Sequence, residues 1–516
     1  MITFNNVPTS IRTPGTYIEI DNSRALKGLI QNPHKALIIG QKLAGSGTAP
    51  FDTLLAISRD SLAEGFFGSG SVLARMCNKF KENNPNTELY AMAIGSGIGG
   101  TAAEATMDFS GAMVGAAASM NHTYYMMING QELEVAITSN MSGQAIVSLI
   151  LSMVNSIYSD LPVNAAHHGT SKGKLVLSAK CSGTLGNYIS IMENYYGTQI
   201  PSCFSWSAAV AGFLKGSGAL GAKSFYTSFT GGATDPTLAD VWAVIDNEQF
   251  HYIIQPYFAA ANLTEIEGEL EDRFLPLEDL QGHGFCALRE SYAGLTSTGN
   301  SRNSPHNTIV GAANSPNMAE EWAAALGAVA AWNLNNDPAR PLQFLKLKGI
   351  LPPPPGDRFT RAERDVLLYD GIATTIVDSG GNVLIERCIT TYQKNALGGP
   401  DPSYLDIQTL ATLGEIRYQY KARMNNRYII PRFKLADNDF PAQPGMYVAR
   451  PKDVRLETIA LFTLLRDIGL IENLDDFIEN LVVERDITDR TRINVLLSPD
   501  LINQFRVLAG MIQFIL

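Results

Sequence analysis

The stretch PPPPGDRFTRAERDVLLYDGIATTIVDSGGNVLIERCITTY, residues 352–392, combines a proline run, a helix start and two strands in one short unit. Thr360 and Glu363 have the spacing of a capping box, which starts a helix, and Gly371 is placed to end that helix. The alternating segments ATTIVD and NVLIER predict paired strands joined by the turn residues SGGN. The stretch therefore predicts a rigid helix-plus-hairpin unit, and it contains no pattern typical of a nucleophile or a metal site.

On the N-terminal side of this stretch, from Lys35 onward, the sequence has the pattern of an α/β domain. KALIIG and ELYAMAIG are typical buried strands, and the helical segment SVLARMCNKFKENN lies between them, as in a parallel strand–helix–strand unit. The alternation resumes at Ser224 and continues into an Ala-rich helix, MAEEWAAALGAVAAWNLN, whose small residues indicate close packing in a core. We therefore expect a discontinuous α/β domain formed by residues 31–97 and 215–350.

Between these two segments lies a β-rich module, residues 98–214. HTYYMMING and QELEVAITS predict a hairpin around Asn129-Gly130, a residue pair that favours two-residue hairpin turns. One amphipathic helix, QAIVSLILSMVNSIYS, and further strands complete the module. The chain is thus expected to be a multidomain protein of α/β and α+β class, with this insertion and a C-terminal α/β core domain of residues 351–502.

Two short motifs invite an enzymatic interpretation that their surroundings do not support. GSGIGG, residues 95–100, matches GxGxxG, but a dinucleotide site also needs a helix starting in the glycines and an acidic residue about 20 positions later. His167 and His168 in HHGTS lack the further ligands of a metal site and the accompanying segments of a serine-protease triad. We interpret the first motif as an exit into the insertion and the second as a polar loop between a helix and a strand. No catalytic, cofactor or metal site is predicted.

The composition narrows the class of protein. The chain has 516 residues, of which 45% are hydrophobic and 17% charged, and this describes a globular protein with roughly three domains. A formal net charge of −11 argues against nucleic-acid binding, which needs a basic surface. The five cysteines are scattered and form no CxxC pair, as expected in a reducing cytoplasm. We find no signal-peptide pattern and no apolar run of about 18 residues, so we expect no membrane insertion.

Both ends of the chain carry segments with strand patterns. TYIEID near the N-terminus is interpreted either as an edge strand of the first domain or as an arm that pairs with another molecule. The chain ends in FRVLAGMIQFIL, which is apolar on both faces and carries no charge after Arg506. Natural proteins keep such an edge only when something covers it. We therefore expect the C-terminus to enter a sheet of its own chain or of a neighbour.

The segments DRFTRAERDVLLYDGI, VDSGGNVLIERCITTYQ and DPSYLDIQTL closely resemble the C-terminal part of tail sheath proteins of Mu-like contractile bacteriophages. The resemblance covers most of the chain, including PTSIRTPGTYIEIDNSRA near the N-terminus and LVVERD…NVLLSPDLINQFRVLAGMIQFIL at the other end. It is more diffuse through the β-rich module, which it identifies as a variable, outward-facing domain. It also implies that the α/β domain is subtilisin-like, a name that describes the fold and not protease chemistry.

What the resemblance implies is a helical polymer of hexameric rings around a tail tube, in contact with baseplate and tail terminator proteins. Such a subunit is part of the virion tail and is assembled in the bacterial host cytoplasm. In that family an N-terminal arm (residues 1–30 here) and a C-terminal arm (residues 503–516) each donate a strand to neighbouring subunits. The donor residues in this chain are Tyr17, Ile18, Glu19, Ile20, Phe505, Val507, Ala509, Met511 and Gln513. The expected receiving strands contain Val482, Val483, Glu484, Ile493, Val495 and Leu496. Contraction would then be rigid-body motion of domains about hinges at residues 22–28 and 497–503.

Three alternatives stay open at the level of sequence. An enzyme on the α/β domain would need a convergent set of catalytic residues, and the His, Ser and Asp residues form no such pattern. The sheath of a pyocin-like particle or of a secretion system would carry the same arms, and only neighbouring genes would distinguish it from a phage sheath. A tube or capsid subunit is disfavoured because tube proteins are generally shorter and lack terminal arms around three domains.

Overall fold

The computed structural model describes residues 29–30, 32–109, 121–193, 195–196, 225–443 and 445–515. These residues divide into two compact units. The larger unit comprises Pro33–Gly414 and the described residues from Asn503 onward, and the smaller unit comprises Glu415–Ile502 and the described residues before Pro33.

The strands of the larger unit are β1 Lys35–Gln41, β2 Leu54–Ala56, β3 Glu88–Ile94, β4 Ala102–Asp108, β5 His122–Ile128, β6 Gln131–Ile137, β7 Val163–His167, β8 Lys174–Ser182, β9 Ser190–Glu193, β10 Phe225–Ser228, β11 Tyr252–Ile254, β12 His283–Leu288, β13 Asn307–Gly311, β14 Ile372–Val377 and β15 Val383–Arg387. Its helices are α1 Asp60–Phe67, α2 Val72–Asn83, α3 Gly143–Ser152, α4 Ala239–Ile245, α5 Ala260–Phe274, α6 Tyr292–Asn300, α7 Ala319–Asn336 and α8 Arg361–Tyr369. Helix α9, Ile407–Met424, contains the boundary between the two units.

The main sheet of the larger unit has eight strands in the order β15-β14-β13-β12-β11-β1-β3-β2. Strands β14 to β3 run parallel, and the outer strands β15 and β2 run antiparallel to their neighbours. Strands β1 and β12 are buried on both faces, which is why KALIIGQ and HGFCAL are almost continuously apolar. The predicted α/β alternation is confirmed by this sheet.

Helix α7 packs against helix α2 and against strands β11 and β12. Gly327 of α7 lies so close to the sheet that a Cβ atom added there would be 2.6 Å from Ile254 Cγ1. Trp322 is buried, and its indole Nε1 donates a hydrogen bond of 3.0 Å to Ser315 Oγ. The predicted core position of this helix is confirmed, although Trp332 near its C-terminal end is 41% exposed.

The β-rich module has two sheets, ordered β10-β9-β5-β6 and β4-β8-β7, around a core of its own that includes Met126, Ile146 and Leu177. The predicted hairpin is confirmed, because Asn129 and Gly130 adopt the positive φ angles of 49° and 77° that its turn requires. The sequence predicts that the module ends at residue 214, whereas β10 extends it to at least Ser228. The reason is the antiparallel pairing of β10 with β9, which joins segments more than thirty residues apart.

The helix and hairpin of residues 352–392 form as predicted. Thr360 and Glu363 make the reciprocal hydrogen bonds of a capping box, and β14 pairs with β15. The sequence places this unit at the start of a C-terminal domain, but the hairpin supplies the last two strands of the eight-stranded sheet. It lies there because β14 continues the parallel series, with Ile309 of β13 opposite Ile372.

The smaller unit contains strands β16 Lys434–Leu435, β17 Val448–Ala449, β18 Ile471–Glu472, β19 Val482–Arg485, β20 Ile493–Leu496 and β21 Asp500–Leu501, and helices α10 Pro451–Asp467 and α11 Leu474–Asn480. The strands form three two-stranded sheets, β16-β17, β18-β21 and β19-β20. The rings of Phe462 and Phe477 stack at 4.0 Å and pack α10 against α11. Among the described residues of the whole chain, no helix combines the length and the hydrophobicity needed to span a membrane.

Candidate inter-subunit strands and their anchors

The C-terminal arm, residues 503–516, is described as far as Ile515 and forms no strand over that length. Its apolar side chains lie in solvent: Val507, Met511 and Ile512 are 81%, 84% and 93% exposed. Phe505, Leu508, Phe514 and Ile515 are also exposed. Large apolar side chains concentrated in one segment mark a contact surface rather than ordinary surface variation.

The root of the arm is held by the larger unit through three side chains. Gln504 Nε2 donates to Ala339 O and Gln343 Nε2 donates to Phe505 O, each over 3.3 Å. Arg506 makes the closest of these contacts, donating from its guanidinium to Asp406 Oδ1 over 2.8 Å. The arm therefore begins as an attached segment and is free of such contacts only beyond Arg506 within its described residues.

Asp406 holds two arginines at once. Arg387, the last residue of β15, donates from Nε to Asp406 Oδ1 over 3.1 Å and from its terminal nitrogen to Oδ2 over 2.9 Å. Arg506 adds a bond to Oδ1 and another of 3.3 Å to Gln408 Oε1. The side chains of Arg506 and Asp406 are only 14% and 16% exposed. Burial lowers the pKa of the Arg506 guanidinium, and although Asp406 opposes this shift, repulsion by Arg387 adds to it.

The residues predicted to receive a strand lie in β19 and β20. They pair antiparallel, with Val482 opposite Leu496, Val483 opposite Val495, Glu484 opposite Asn494 and Arg485 opposite Ile493. Their sheet has two strands among the described residues, so each strand has an outer edge that is not part of a larger sheet there. Such an edge presents N–H and C=O groups to which a further strand can pair.

The loop between β19 and β20 is organised by Asp486. Its Oδ1 accepts hydrogen bonds from the N–H groups of Thr488 and Asp489, and its Oδ2 accepts one from Asn494 Nδ2. The Thr488 hydroxyl also donates to Oδ1 over 2.6 Å, and these bonds hold the pKa of the carboxyl well below its usual range. The hairpin is thus held in one shape by its own side chains.

The predicted N-terminal donor residues Tyr17, Ile18, Glu19 and Ile20 lie outside the described residues. Close to them along the chain, Ile30 in the smaller unit is hydrogen-bonded by both its backbone N–H and its C=O to the side-chain amide of Gln419 in α9. These two bonds hold the backbone of Ile30 against α9.

A buried polar cluster joins the β-rich module to the α/β body, and nothing in the sequence pattern predicted it. Arg75 of α2 forms ion pairs with Glu320 and Glu321 at the start of α7, all three being buried. Asn129, in the hairpin turn of the module, donates to Glu321 Oε1 over 2.6 Å and accepts from Met318 N over 2.8 Å. Burial raises the pKa of Glu320, and Arg75 opposes this shift. The sequence signal that could have indicated this cluster is the pair of adjacent glutamates at the start of an Ala-rich helix.

The two rejected motifs occupy loops. Residues 95–100 connect β3 to β4, so a strand and not a helix follows the glycines, and this strand belongs to the sheet β4-β8-β7. His167 ends β7 and His168 follows it, in the connection to β8, so the loop joins two strands rather than a helix and a strand. In the described part of the chain, no group of three or more His, Cys, Asp or Glu residues is arranged to hold a metal ion.

Comparison with known families gives two matches. Residues 231–391 match the model of the phage tail sheath protein central domain, and residues 399–515 match that of the phage tail sheath C-terminal domain. The Mu-like prophage FluMu tail sheath protein of Haemophilus influenzae is 34% identical over 516 residues, which cover 100% of both chains.

Solved structures that are similar include the sheath tail protein of Desulfitobacterium hafniense, at 14% identity and a TM-score of 0.46, covering 95% of this chain and 100% of that one. The helical sheath of the anti-feeding prophage in its contracted state is 9% identical with a TM-score of 0.47, covering 98% and 99% of the two chains.

Proposed function

This chain belongs to the phage tail sheath protein family, and from that membership we propose how its copies assemble and contract. The chain is a subunit of a contractile tail sheath and a structural component of the virion tail. Membership of a structural family implies a role without catalysis. In our proposal the copies polymerise helically, in hexameric rings, around a tail tube.

The C-terminal arm is proposed to donate a strand to a second copy of the chain. The observation that carries this proposal is the exposure of its apolar side chains from Phe505 to Ile515, with no charged residue after Arg506. A strand added to a sheet edge gains main-chain hydrogen bonds, while alternate side chains enter pockets on each face. Phe505, Val507, Ala509, Met511 and Gln513 would share one face of this strand. The N-terminal residues Tyr17, Ile18, Glu19 and Ile20 are proposed to form a second donor strand.

The receiving edge is proposed to lie on the β19-β20 hairpin of a neighbouring copy. Support comes from the two-stranded sheet itself and from its loop, which Asp486 holds in a fixed shape. An edge held in this way loses little conformational freedom when a third strand is added, and this favours binding. Val482, Val483, Glu484, Ile493, Val495 and Leu496 would form that interface.

The remaining elements of the proposal concern the particle as a whole. The arms would stay paired while the bodies move as rigid units, so that contraction drives the tube through the host envelope. The body would be a subtilisin-like α/β domain, with the β-rich module facing outward. Besides the tube, the expected partners are baseplate and tail terminator proteins, with assembly in the bacterial host cytoplasm. No nucleic acid, cofactor or membrane takes part in this scheme.

The proposal is tested by negative-stain microscopy of the full-length chain beside two truncated chains, one ending at Gln504 and one ending at Arg506. We expect hollow tubes from the full-length chain. We expect folded monomers from both truncated chains, with circular dichroism spectra like that of the parent. Tubes from either truncated chain, or identical monodisperse particles from all three, would overturn the donor-strand proposal.

A further inference from the structure

The carboxylate of Asp406 lies between two guanidinium groups, those of Arg387 and Arg506. We propose that these three residues form an anchor that fixes the root of the C-terminal arm to the body of its own subunit. The inference rests on the donor-strand proposal and adds to it the place where the arm becomes free, which is Val507.

The geometry distinguishes the two arginines. Arg387 is bound to both oxygens of Asp406, so the carboxylate is held in place by the end of β15. Arg506 reaches the same carboxylate from the arm and also binds the fully buried side chain of Gln408. Bidentate and shared arginine–carboxylate contacts of this kind fix direction as well as distance. The direction of the arm is therefore set by the body and not by the arm's own backbone.

The charges make the anchor depend on Asp406. Two positive groups share one negative group, so removal of the carboxylate would leave two arginines repelling each other in a site with little access to water. Screening by solvent is weak there, because the three side chains are between 14% and 28% exposed. Arg506 can leave with the arm, whereas Arg387 is part of β15. Loss of Asp406 should therefore release the arm root.

The anchor also relocates the predicted C-terminal hinge. The sequence predicts it within residues 497–503, but Asp500–Leu501 form β21 and pair with β18. Ile502 N donates to Leu470 O, Gln504 donates to the backbone oxygen of Ala339, and Arg506 donates to the side chain of Asp406. The first residue beyond these attachments is Val507. An extended arm of ten residues from there reaches roughly 30 Å, at about 3.3 Å per residue.

A fixed starting point for the arm lowers the entropic cost of strand donation and defines its register. A flexible segment pays conformational entropy when it pairs, and a segment whose start and direction are already fixed pays less. The anchor would also set the register, because the distance from Arg506 to the neighbour's edge decides which residue of the arm meets which residue of the receiving strand.

Cleavage by trypsin is a direct test. Arg506 is the only basic residue between Asn503 and the end of the chain. To cleave after Arg506, trypsin must bind its side chain, which then has to leave Asp406. Release of the peptide VLAGMIQFIL is followed by mass spectrometry on the monomeric fraction of full-length chain. We expect Asp406→Asn to speed release at least tenfold. We expect Asp365→Asn, the same change at an exposed aspartate of α8, to leave the rate unchanged. Arg387→Gln removes the group that holds the Asp406 carboxylate in place but keeps the Arg506–Asp406 pair, so it should speed release less than Asp406→Asn does.

A second variant tests the anchor even if Asp406→Asn disturbs the β14-β15 hairpin. Arg506→Ala keeps Arg387 on Asp406 and should still raise, at least tenfold, the protein concentration needed to form tubes. Unchanged peptide release in folded Asp406→Asn, or unchanged assembly of Arg506→Ala, would overturn the anchor. Either result would leave the donor-strand proposal standing, since that proposal is tested by the tubes of the full-length chain and their absence from the two truncated chains.

Discussion

Asn129 Nδ2 lies 2.6 Å from Glu321 Oε1, so a turn of the β-rich module is hydrogen-bonded to a buried carboxylate in the first turn of α7. The same asparagine accepts a hydrogen bond from the backbone N–H of Met318. Gly130 beside it approaches Asn317 so closely that an added Cβ atom would be 2.8 Å from the amide nitrogen. The module is thereby fixed to the α/β body at a site that excludes water.

The first prediction concerns Asn129→Asp. The substitution keeps a residue that tolerates the left-handed turn but places a second carboxylate against Glu321 in a buried site. We expect the unfolding midpoint to fall, with a loss of about 2–4 kcal/mol in the free energy of unfolding. Asn140→Asp is the control, because Asn140 has a similar φ of 60° but is exposed. Equal midpoints for the two variants would show that the contact with Glu321 contributes little.

The second prediction compares two helix glycines. Gly327→Ala should destabilise the chain by about 1–2 kcal/mol, because the new methyl group meets Ile254 Cγ1 in a packed core. Gly268→Ala in α5 meets no atom within 4 Å and should stabilise the chain by about 0.5–1 kcal/mol. Chemical denaturation of both variants measures the difference. A stabilising effect at Gly327 would mean that α7 and β11 can separate at no cost.

The third prediction concerns pH and the buried carboxyl of Glu193 in β9. Burial raises its pKa to about 7, and a hydrogen bond from the Tyr124 hydroxyl opposes this shift. Because the pKa of this carboxyl is about 7 in the folded chain and 4.5 in the unfolded chain, its contribution to the free energy of unfolding is complete below pH 4.5. This contribution is lost as the pH rises through 7. Glu193→Gln should remove that loss, which raises the free energy of unfolding at pH 8.5 by at most roughly 3 kcal/mol.

The measurement is the thermal unfolding midpoint between pH 5.5 and 8.5. The variant should show a flatter pH profile than the parent chain and a higher midpoint at pH 8.5. Glu134→Gln is the matched control, because Glu134 lies in the same sheet with an exposed side chain. If the profiles of the parent and Glu193→Gln are parallel, the carboxyl does not titrate in this range.

The fourth prediction concerns Ile512→Asp in the C-terminal arm. The side chain is 93% exposed in the single chain, so the free energy of unfolding should change by less than about 0.5 kcal/mol. A charge on a strand that must be buried between neighbours blocks pairing, so tubes should disappear in microscopy and sedimentation. Ile98→Asp, at an equally exposed position in the loop between β3 and β4, should leave tubes intact. Tubes formed by Ile512→Asp as readily as by the parent would contradict the role of the arm.

Local signals in the sequence predicted local structure well. The capping box of Thr360 and Glu363 and the turn at Asn129-Gly130 were both predicted from neighbouring residues, because each depends on contacts within a few positions. The apolar C-terminal arm was also evident, since only its composition and its lack of charge were needed. The function followed from the resemblance of long segments to one family.

Long-range relationships were not predictable in the same way. The place of β14 in the eight-stranded sheet depends on its pairing with β13, about sixty residues earlier, and no residue of the hairpin specifies that partner. The cluster around Glu321 depends on residues from three distant segments. Arg506 was noticed only as the last charge of the chain, because its partner Asp406 lies 100 residues away.

The attachment of Arg506 to Asp406 has a mechanical consequence. A pulling force on the arm is transmitted to its own subunit in two ways. One is the covalent chain, and the other is the pair of salt bridges that link Arg506 through Asp406 to Arg387 of β15. Since β15 is paired with β14 and β14 with β13, the salt bridges transmit part of the force to the eight-stranded sheet. The short connection between β21 and Arg506 then does not carry the whole force. In a particle whose subunits move while their arms stay paired, the arm is therefore attached mechanically to the main sheet of the subunit from which it extends.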